Sequence, residues 1–198
     1  MTPYFIGIAG GSGSGKTALA KCLKKHLGTK ASVFHIDNYQ KIGGKPPRLH
    51  GMDNWDHPNA IYWNQLSKDL KILKGGKPVI IKTREQKQLT NAKKALFNPK
   101  PIVIIEGYLL FIKPGIRKLL NFLVYCDAKD DIRIKRRTKF KHTEYVEKIL
   151  LPMHHKYIEP TKKFANLILD TEKYSVQKCI EYILKRLHMS KNGSNFVY

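Results

Sequence analysis

The chain has 198 residues, a length expected of a single domain. Its composition, with 42% hydrophobic, 26% charged and 10% aromatic residues, excludes the disordered and fibrous classes and is typical of a globular protein. Three widely spaced cysteines without a C-x-x-C pair argue against a disulfide scaffold or a zinc ribbon and fit reduced thiols. No apolar run reaches the roughly 20 residues of a membrane span. We therefore expect a cytoplasmic protein without a membrane partner.

The excess of positive charge is the unusual feature of the composition. Lys and Arg number 37 against 15 Asp and Glu, a formal net charge of +22, which suggests a polyanionic partner. Only seven of the 37 cations are Arg, whereas proteins that read nucleic acids concentrate Arg for its bidentate grip on phosphate and guanine. We therefore expect a solvated lysine-rich surface and no nucleic-acid partner. An ATP-dependent nucleic-acid-binding protein stays as an alternative.

Short apolar runs alternate with amphipathic stretches, an order that predicts a parallel sheet flanked by helices. The predicted strands are Tyr4–Ala9, Val33–Ile36, Ile102–Ile105, Phe122–Cys126 and Asn166–Leu169, with Pro78–Lys82 as a further short candidate. The predicted helices are Thr17–Leu27, Pro58–Lys74, Asp130–Arg137, Tyr145–Phe164 with a bend at Pro152, and Val176–Leu187. We expect one α/β domain over residues 1–188 with a five-stranded parallel sheet, followed by a flexible tail at 189–198.

The segment from Gly10 to Thr17 matches the phosphate-binding pattern G-x-x-x-x-G-K-S/T. Glycines let successive backbone N–H groups converge on phosphate oxygens, and the helix that follows presents its positive N-terminus to them. In this pattern Lys16 reaches the β- and γ-phosphates as a catalytic cation, and the Thr17 hydroxyl binds Mg²⁺. The expected ATP site consists of Gly10, Gly11, Ser12, Gly13, Ser14, Gly15, Lys16, Thr17 and Ala18.

Two acidic residues follow predicted strands, at the sheet edge where α/β proteins bind ligands. Asp37 comes directly after Val33–Ile36, where it can accept a proton from an attacking hydroxyl or hold a Mg²⁺-bound water. Glu106 comes directly after Ile102–Ile105, where a P-loop enzyme keeps the carboxylate that organises Mg²⁺. A turn or capping role is the alternative for each acid.

An ordered set of segments carries a family resemblance. The segments are Gly10–Thr17, Asp37-Asn38-Tyr39, Asn54–Ala60, Ile104–Phe111, Arg133–Arg137 and Pro152–Asn166. Together they resemble the uridine kinase family of P-loop nucleoside kinases, including the related nicotinamide riboside kinases, over about residues 4–170. The resemblance implies a kinase that uses ATP and Mg²⁺ to phosphorylate the 5′-hydroxyl of a ribonucleoside. The expected partners are ATP and a nucleoside, and self-association into a homo-oligomer stays open.

The resemblance also implies roles for individual residues. Asp37 matches the catalytic base, Asp56 the carboxylate that binds the ribose hydroxyls, and Glu106 the acid on the Mg²⁺ side. Arg136 and Arg137 match the start of a short basic lid at about residues 136–142, with Arg136 on the substrate and Arg137 in catalysis.

Two aromatic residues stand close to these acids in the sequence. Trp55 precedes Asp56, and Tyr39 follows Asp37-Asn38. Each can stack on a nucleobase in the substrate site. Covering the hydrophobic core is the alternative for each.

Two departures from the family pattern leave the nucleobase open. Residues 81–90 lack the aromatic residue and the histidine with which uridine kinases read a pyrimidine, and the lid lacks the family's further arginines. Lys139 and Lys141 can replace these arginines as point charges. Uridine or cytidine is the favoured substrate, and nicotinamide riboside is the alternative.

Overall fold

The structure, a computed structural model, describes residues 1–41, 44–83, 93–137 and 144–189. Its strands are β1 (Tyr4–Gly10), β2 (Ala31–His35), β3 (Arg48–Leu49), β4 (Met52–Asp53), β5 (Val79–Thr83), β6 (Lys93–Phe97), β7 (Ile102–Glu106), β8 (Phe122–Asp127) and β9 (Leu167–Asp170). Its helices are α1 (Lys16–Leu27), α2 (Trp63–Lys74), α3 (Pro114–Arg117), α4 (Asp130–Arg136), α5 (Leu151–Met153) and α6 (Val176–Met189). None of the described helices is both long and apolar enough to cross a membrane.

Five strands form one parallel sheet in the order β2-β7-β1-β8-β9. All residues of β7 are buried, as its run of Ile and Val predicts for a strand covered on both faces. Side chains alternate across β1, so that Phe5 joins the core under α2 and α3, and Ile6 joins the core under α1 and α6. The predicted five-stranded α/β architecture is confirmed.

The short candidate strand at Pro78–Lys82 forms β5, but β5 lies outside the parallel sheet. It pairs antiparallel with β6, a strand that the sequence analysis did not predict. Val79 and Ile81 are buried, whereas Ile80 between them is 66% exposed. This alternation is expected of a hairpin with one face on the core and the other in solvent.

Two predicted helices are less regular than expected. Pro58–Ala60 is a separate 3₁₀ turn before α2, and the Asn59 N–H donates a hydrogen bond to Nδ1 of His57 (3.0 Å). Around Pro152, wider π-helical turns at Val146–Leu150 and His154–Ile158 flank α5. Proline has no N–H and clashes with the preceding turn, so an α-helical hydrogen-bond ladder cannot continue through it.

Several predictions lie outside the described residues. They concern the lid at 138–142 with Lys139 and Lys141, most of the segment at 81–90, and the tail beyond Met189.

Candidate active site

A cavity of about 810 Å³ opens at the carboxyl ends of the central strands. β2, β7 and β1 are parallel neighbours, so the residues that follow them meet at the same sheet edge. The residues predicted for the site that line this cavity are Ser12, Gly13, Gly15, Lys16, Thr17, Ala18, Asp37, Trp55, Asp56, Glu106, Arg136 and Arg137. The fold therefore brings the predicted phosphate, metal and sugar residues to one place.

The P-loop is the turn between β1 and α1. Gly13 has a φ of +83°, and a Cβ atom there would lie 2.2 Å from the carbonyl oxygen of Arg133, so only glycine fits. Lys16 begins α1 and is 8% exposed, and its Nζ donates a hydrogen bond to the Gly11 carbonyl oxygen (3.0 Å). Backbone N–H groups and the N-terminus of α1 thus face the cavity with a lysine at its floor, an arrangement that suits a polyphosphate.

Thr17 and Glu106 lie together beside the P-loop. The Thr17 hydroxyl donates to Oε2 of Glu106 (3.3 Å), and Nδ1 of His35 contacts the other carboxylate oxygen (2.6 Å). Burial raises the pKa of Glu106, but the hydrogen bond to His35 and the charge of Lys16 outweigh it, and the net pKa is lowered. The hydrogen bond to Glu106 raises the pKa of His35 despite partial burial. An ionised carboxylate next to a hydroxyl fits the oxygen ligands that Mg²⁺ prefers.

Asp37 and Tyr39 share the 3₁₀ turn Ile36–Tyr39 but face different surroundings. Asp37 is exposed and lines the cavity. Tyr39 is 6% exposed, and its hydroxyl donates to Oδ2 of Asp69 on α2 (2.7 Å). The structure therefore supports the alternative for Tyr39, packing in the core, over stacking on a nucleobase.

Asp56 is a buried carboxylate on the lining of the same cavity. It is 8% exposed, and the hydroxyl of Tyr145 donates to its Oδ2 (2.7 Å). Burial raises the pKa of Asp56, while the hydrogen bond from Tyr145 and the charge of Arg137 act in the opposite direction. The backbone N–H of Trp55 donates to the same Tyr145 hydroxyl (3.2 Å).

A second tyrosine, Tyr108, holds the backbone of the Trp55-Asp56 segment. The Tyr108 hydroxyl donates to the Trp55 carbonyl oxygen (2.6 Å) and accepts a hydrogen bond from Nε2 of Gln40 (2.8 Å). Tyr108, Tyr145 and Gln40 all line the cavity, and the sequence analysis assigned none of them to the site. Tyr108 lies two residues after Glu106 in one of the family motifs, so the sequence offered a reason to assign it to the site. Tyr145 lies in none of these motifs, so the sequence offered no such reason.

The two arginines predicted to start the lid both contact the nucleotide side of the cavity. Arg137 donates to the Ser12 hydroxyl. Arg136 donates to Oγ1 and to the carbonyl oxygen of Thr171 (3.1 and 2.8 Å), and the Thr171 hydroxyl donates in turn to the Ser14 carbonyl oxygen (3.1 Å). The structure thus places Arg136 next to the loop after β9 and on the cavity lining, and its contact with the substrate stays a prediction.

Comparisons with known proteins agree with this geometry. A family model described as "Phosphoribulokinase / Uridine kinase family" matches residues 5–175. The uridine kinase of Staphylococcus epidermidis is 35% identical over an alignment of 178 positions that covers 83% of this chain and 86% of that protein. The uridine kinase of Macrococcus caseolyticus is 35% identical over 179 residues, with the same coverage of 83% and 86%.

Solved structures agree on the fold. A possible uridine kinase from Bacillus stearothermophilus superimposes with a TM-score of 0.67 at 21% identity, over 86% of this chain and 90% of that one. Phosphoribulokinase from Rhodobacter spheroides superimposes with a TM-score of 0.62 at 14% identity, over 86% and 72%. With its P-loop and a relative 35% identical over most of its length, the chain belongs to the phosphoribulokinase and uridine kinase family.

Proposed function

We propose that the protein is an ATP-dependent nucleoside kinase that transfers the γ-phosphate of ATP to the 5′-hydroxyl of a ribonucleoside. Uridine and cytidine are the favoured acceptors. One observation carries the proposal: a single cavity is lined by P-loop residues, by the buried carboxylate of Asp56 and by Asp37. A polyphosphate and a sugar can therefore bind in the same space, which also offers an acid.

Each of the residues that line the cavity has a different role in the proposed phosphoryl transfer. Lys16 neutralises charge on the transferred phosphoryl group, and the P-loop N–H groups orient the phosphates. Asp37 is exposed in the cavity and accepts the proton that the 5′-hydroxyl loses as it attacks phosphorus. Thr17 and Glu106 would hold Mg²⁺, which spreads the negative charge of the phosphates when bound. Arg137 adds a further cation at the P-loop.

Asp56 is proposed to bind the sugar. Tyr145 donates to Oδ2 of Asp56, and a carboxylate offers further lone pairs to other donors. The vicinal 2′- and 3′-hydroxyls of ribose supply such donors in the geometry that a carboxylate accepts. Trp55, which lines the cavity beside Asp56, can cover the nucleobase with its ring.

The uridine kinase names of the relatives favour a pyrimidine ribonucleoside over nicotinamide riboside as the acceptor.

The arrangement of the arginines argues against the nucleic-acid alternative. Arg133, Arg136 and Arg137 all come from α4 or its end, and all contact the P-loop or the loop after β9. Arg133 is buried, and Arg136 and Arg137 line the cavity, so none of the three belongs to an extended nucleic-acid surface.

An ADP-release assay tests the proposal. The protein is incubated with Mg²⁺ and ATP, and with uridine, cytidine, adenosine, guanosine, nicotinamide riboside or 2′-deoxyuridine, with Lys16→Ala as the matched control. We expect ADP release with uridine and cytidine, and a 5′-monophosphate product identified by phosphorus NMR. A larger kcat/KM for nicotinamide riboside would favour that alternative. If no riboside stimulated ADP release, the nucleoside kinase proposal would fail.

A further inference from the structure

Arg133 is a buried cation that the proposed reaction does not use directly. It lies on α4 and is 1% exposed, and it heads the largest fully buried side chains among the described residues. A charge at such depth is costly unless it is closely paired and hydrogen-bonded. The partners of Arg133 therefore indicate why the fold keeps a charge there.

The guanidinium joins an acid on its own helix to the backbone of the P-loop. Its NH2 group lies 2.5 Å from Oδ1 of Asp130, one turn earlier on α4. Its NH1 group donates to the carbonyl oxygen of Ser12 (3.1 Å). Asp130 and Ser12 are thus connected through one rigid, planar group.

Two P-loop glycines pack directly against Arg133. A Cβ atom on Gly11 would lie 2.4 Å from NH1 of Arg133, and a Cβ atom on Gly13 would lie 2.2 Å from the Arg133 carbonyl oxygen. The P-loop pattern permits any residue at both positions. The guanidinium of Arg133 therefore accounts, together with the ring of His154, for the glycine at position 11, whereas Gly13 is required by its own φ of +83° and by the backbone of residue 133.

His155 contacts Asp130, the acid that is paired with Arg133. Nε2 of His155 lies 2.8 Å from Oδ2 of Asp130, and Nδ1 of the same ring lies 2.6 Å from Oε2 of Glu159. Burial raises the pKa of Asp130, but Arg133 and His155 outweigh it and the net pKa is lowered. Asp130 thus stays ionised between its two partners.

The contact with the Ser12 carbonyl controls the direction of a phosphate-binding N–H group. The Ser12 carbonyl and the Gly13 N–H belong to one planar trans peptide unit, so they point in opposite directions. When the carbonyl is held against Arg133, the Gly13 N–H points away from Arg133. Gly13 is itself one of the residues that line the cavity.

We propose that Arg133 is a positioning residue for the P-loop, which it holds through the Ser12 carbonyl while Asp130 and His155 fix its guanidinium. The helix that carries Arg136 and Arg137 is thereby tied to the loop that binds the phosphates. This inference deepens the proposed function and rests on the ATP site described above.

Binding measurements test this role separately from catalysis. The affinity for a non-hydrolysable ATP analogue with Mg²⁺, and separately for uridine, is measured by calorimetry for the wild type, Arg133→Met, Arg133→Lys and Asp130→Asn. Asp131→Asn is the matched control, because Asp131 is an exposed acid at the next position of α4. Thermal unfolding of each variant reports whether the fold is retained.

We expect Arg133→Met to bind the ATP analogue about tenfold or more weakly, the loss typical of a charged hydrogen bond. The affinity for uridine should change much less than that for the ATP analogue, a selectivity that a general loss of structure would not produce. Arg133→Lys should recover part of the loss, because it keeps the charge beside Asp130 without the guanidinium fork. Asp130→Asn should give a smaller loss, and Asp131→Asn none.

Unchanged affinity for the ATP analogue in folded Arg133→Met would overturn the proposal. If that variant does not fold, unchanged affinity in Asp130→Asn overturns it, because Arg133 would then hold the loop without its fixed partner. Lys16→Ala separates this failure from that of the ATP site. If Lys16→Ala weakens analogue binding and the Arg133 and Asp130 variants do not, the ATP site stands and the positioning role falls.

Discussion

The phosphate end of the cavity, formed by P-loop residues within Ser12–Ala18, comes from one stretch of the chain, whereas the acceptor end, formed by Trp55 and Asp56, is held by residues from distant parts of the chain. At the phosphate end, the Arg133 side chain donates to the Ser12 carbonyl oxygen. At the acceptor end, Tyr145 meets Asp56 across 89 sequence positions, and Tyr108 meets Trp55 across 53.

This difference separates phosphate binding from the choice of acceptor. Backbone N–H groups cannot be mutated away, so a loop built from them keeps its ligand through many substitutions. Side-chain hydrogen bonds between distant segments change with a single substitution at either end. We therefore expect variants of the phosphate end to affect ATP and the chemical step, and variants of the acceptor end to affect the nucleoside alone.

The largest expected effect is that of Lys16→Ala. Because Lys16 neutralises the transferred phosphoryl group, kcat should fall by about 10³-fold, the upper range for loss of one such charge contact. The affinity for uridine should change much less than kcat, because Nζ of Lys16 is hydrogen-bonded to the Gly11 carbonyl oxygen of the P-loop and not to Asp56. Steady-state kinetics and uridine calorimetry measure the two quantities. Activity above about a tenth of the wild-type value would contradict the assignment of Lys16.

Asp37→Asn tests the cavity acid that belongs to neither end. The substitution keeps the shape of the side chain and removes the proton acceptor, so kcat should fall by roughly 10²-fold with the KM for ATP unchanged. The measurement is kcat with each substrate varied in turn. A raised KM for ATP with an unchanged kcat would instead identify Asp37 as a metal-binding or structural residue.

Asp56→Ala should act on the acceptor sugar. A site that accepts hydrogen bonds from both ribose hydroxyls loses about 1–3 kcal/mol when one partner is absent. We expect kcat/KM for uridine to fall by about tenfold or more, and the preference for uridine over 2′-deoxyuridine to shrink, while the KM for ATP holds. The control is Glu144→Gln, an exposed acid close to Tyr145 that is paired with Lys148. If the preference ratio did not change, Asp56 would not read the sugar.

The smallest expected effect is that of Tyr145→Phe. The ring stays, but Asp56 loses a hydrogen-bond donor and the Trp55 N–H loses an acceptor. The KM for uridine should rise by about fivefold, the value of one ordinary hydrogen bond, with the KM for ATP unchanged. An equal rise in both KM values would show that the two ends of the cavity are not independent.

The local parts of the protein could be predicted from its sequence. The strands of the parallel sheet, the P-loop, and the acids Asp37 and Glu106 at strand ends all rest on patterns within a few neighbouring residues. β6 was missed, because its sequence Lys93–Phe97 carries only a short apolar run. Tyr39 shows the limit of such reasoning, since its position beside Asp37 suggested the cavity but its side chain turns into the core.

The fold class and the phosphate-binding loop could be read from the sequence, because strand patterns and P-loop chemistry depend on residues that are close along the chain, and the family could be read from the order of its motifs. The contacts of His35 with Glu106, of Tyr145 with Asp56, and of Arg133 with the P-loop are visible only in the folded structure. These contacts join residues 71 to 121 positions apart. They exist because the strand order places the ends of β2 and β7 side by side, and because α4 packs against the loop after β1.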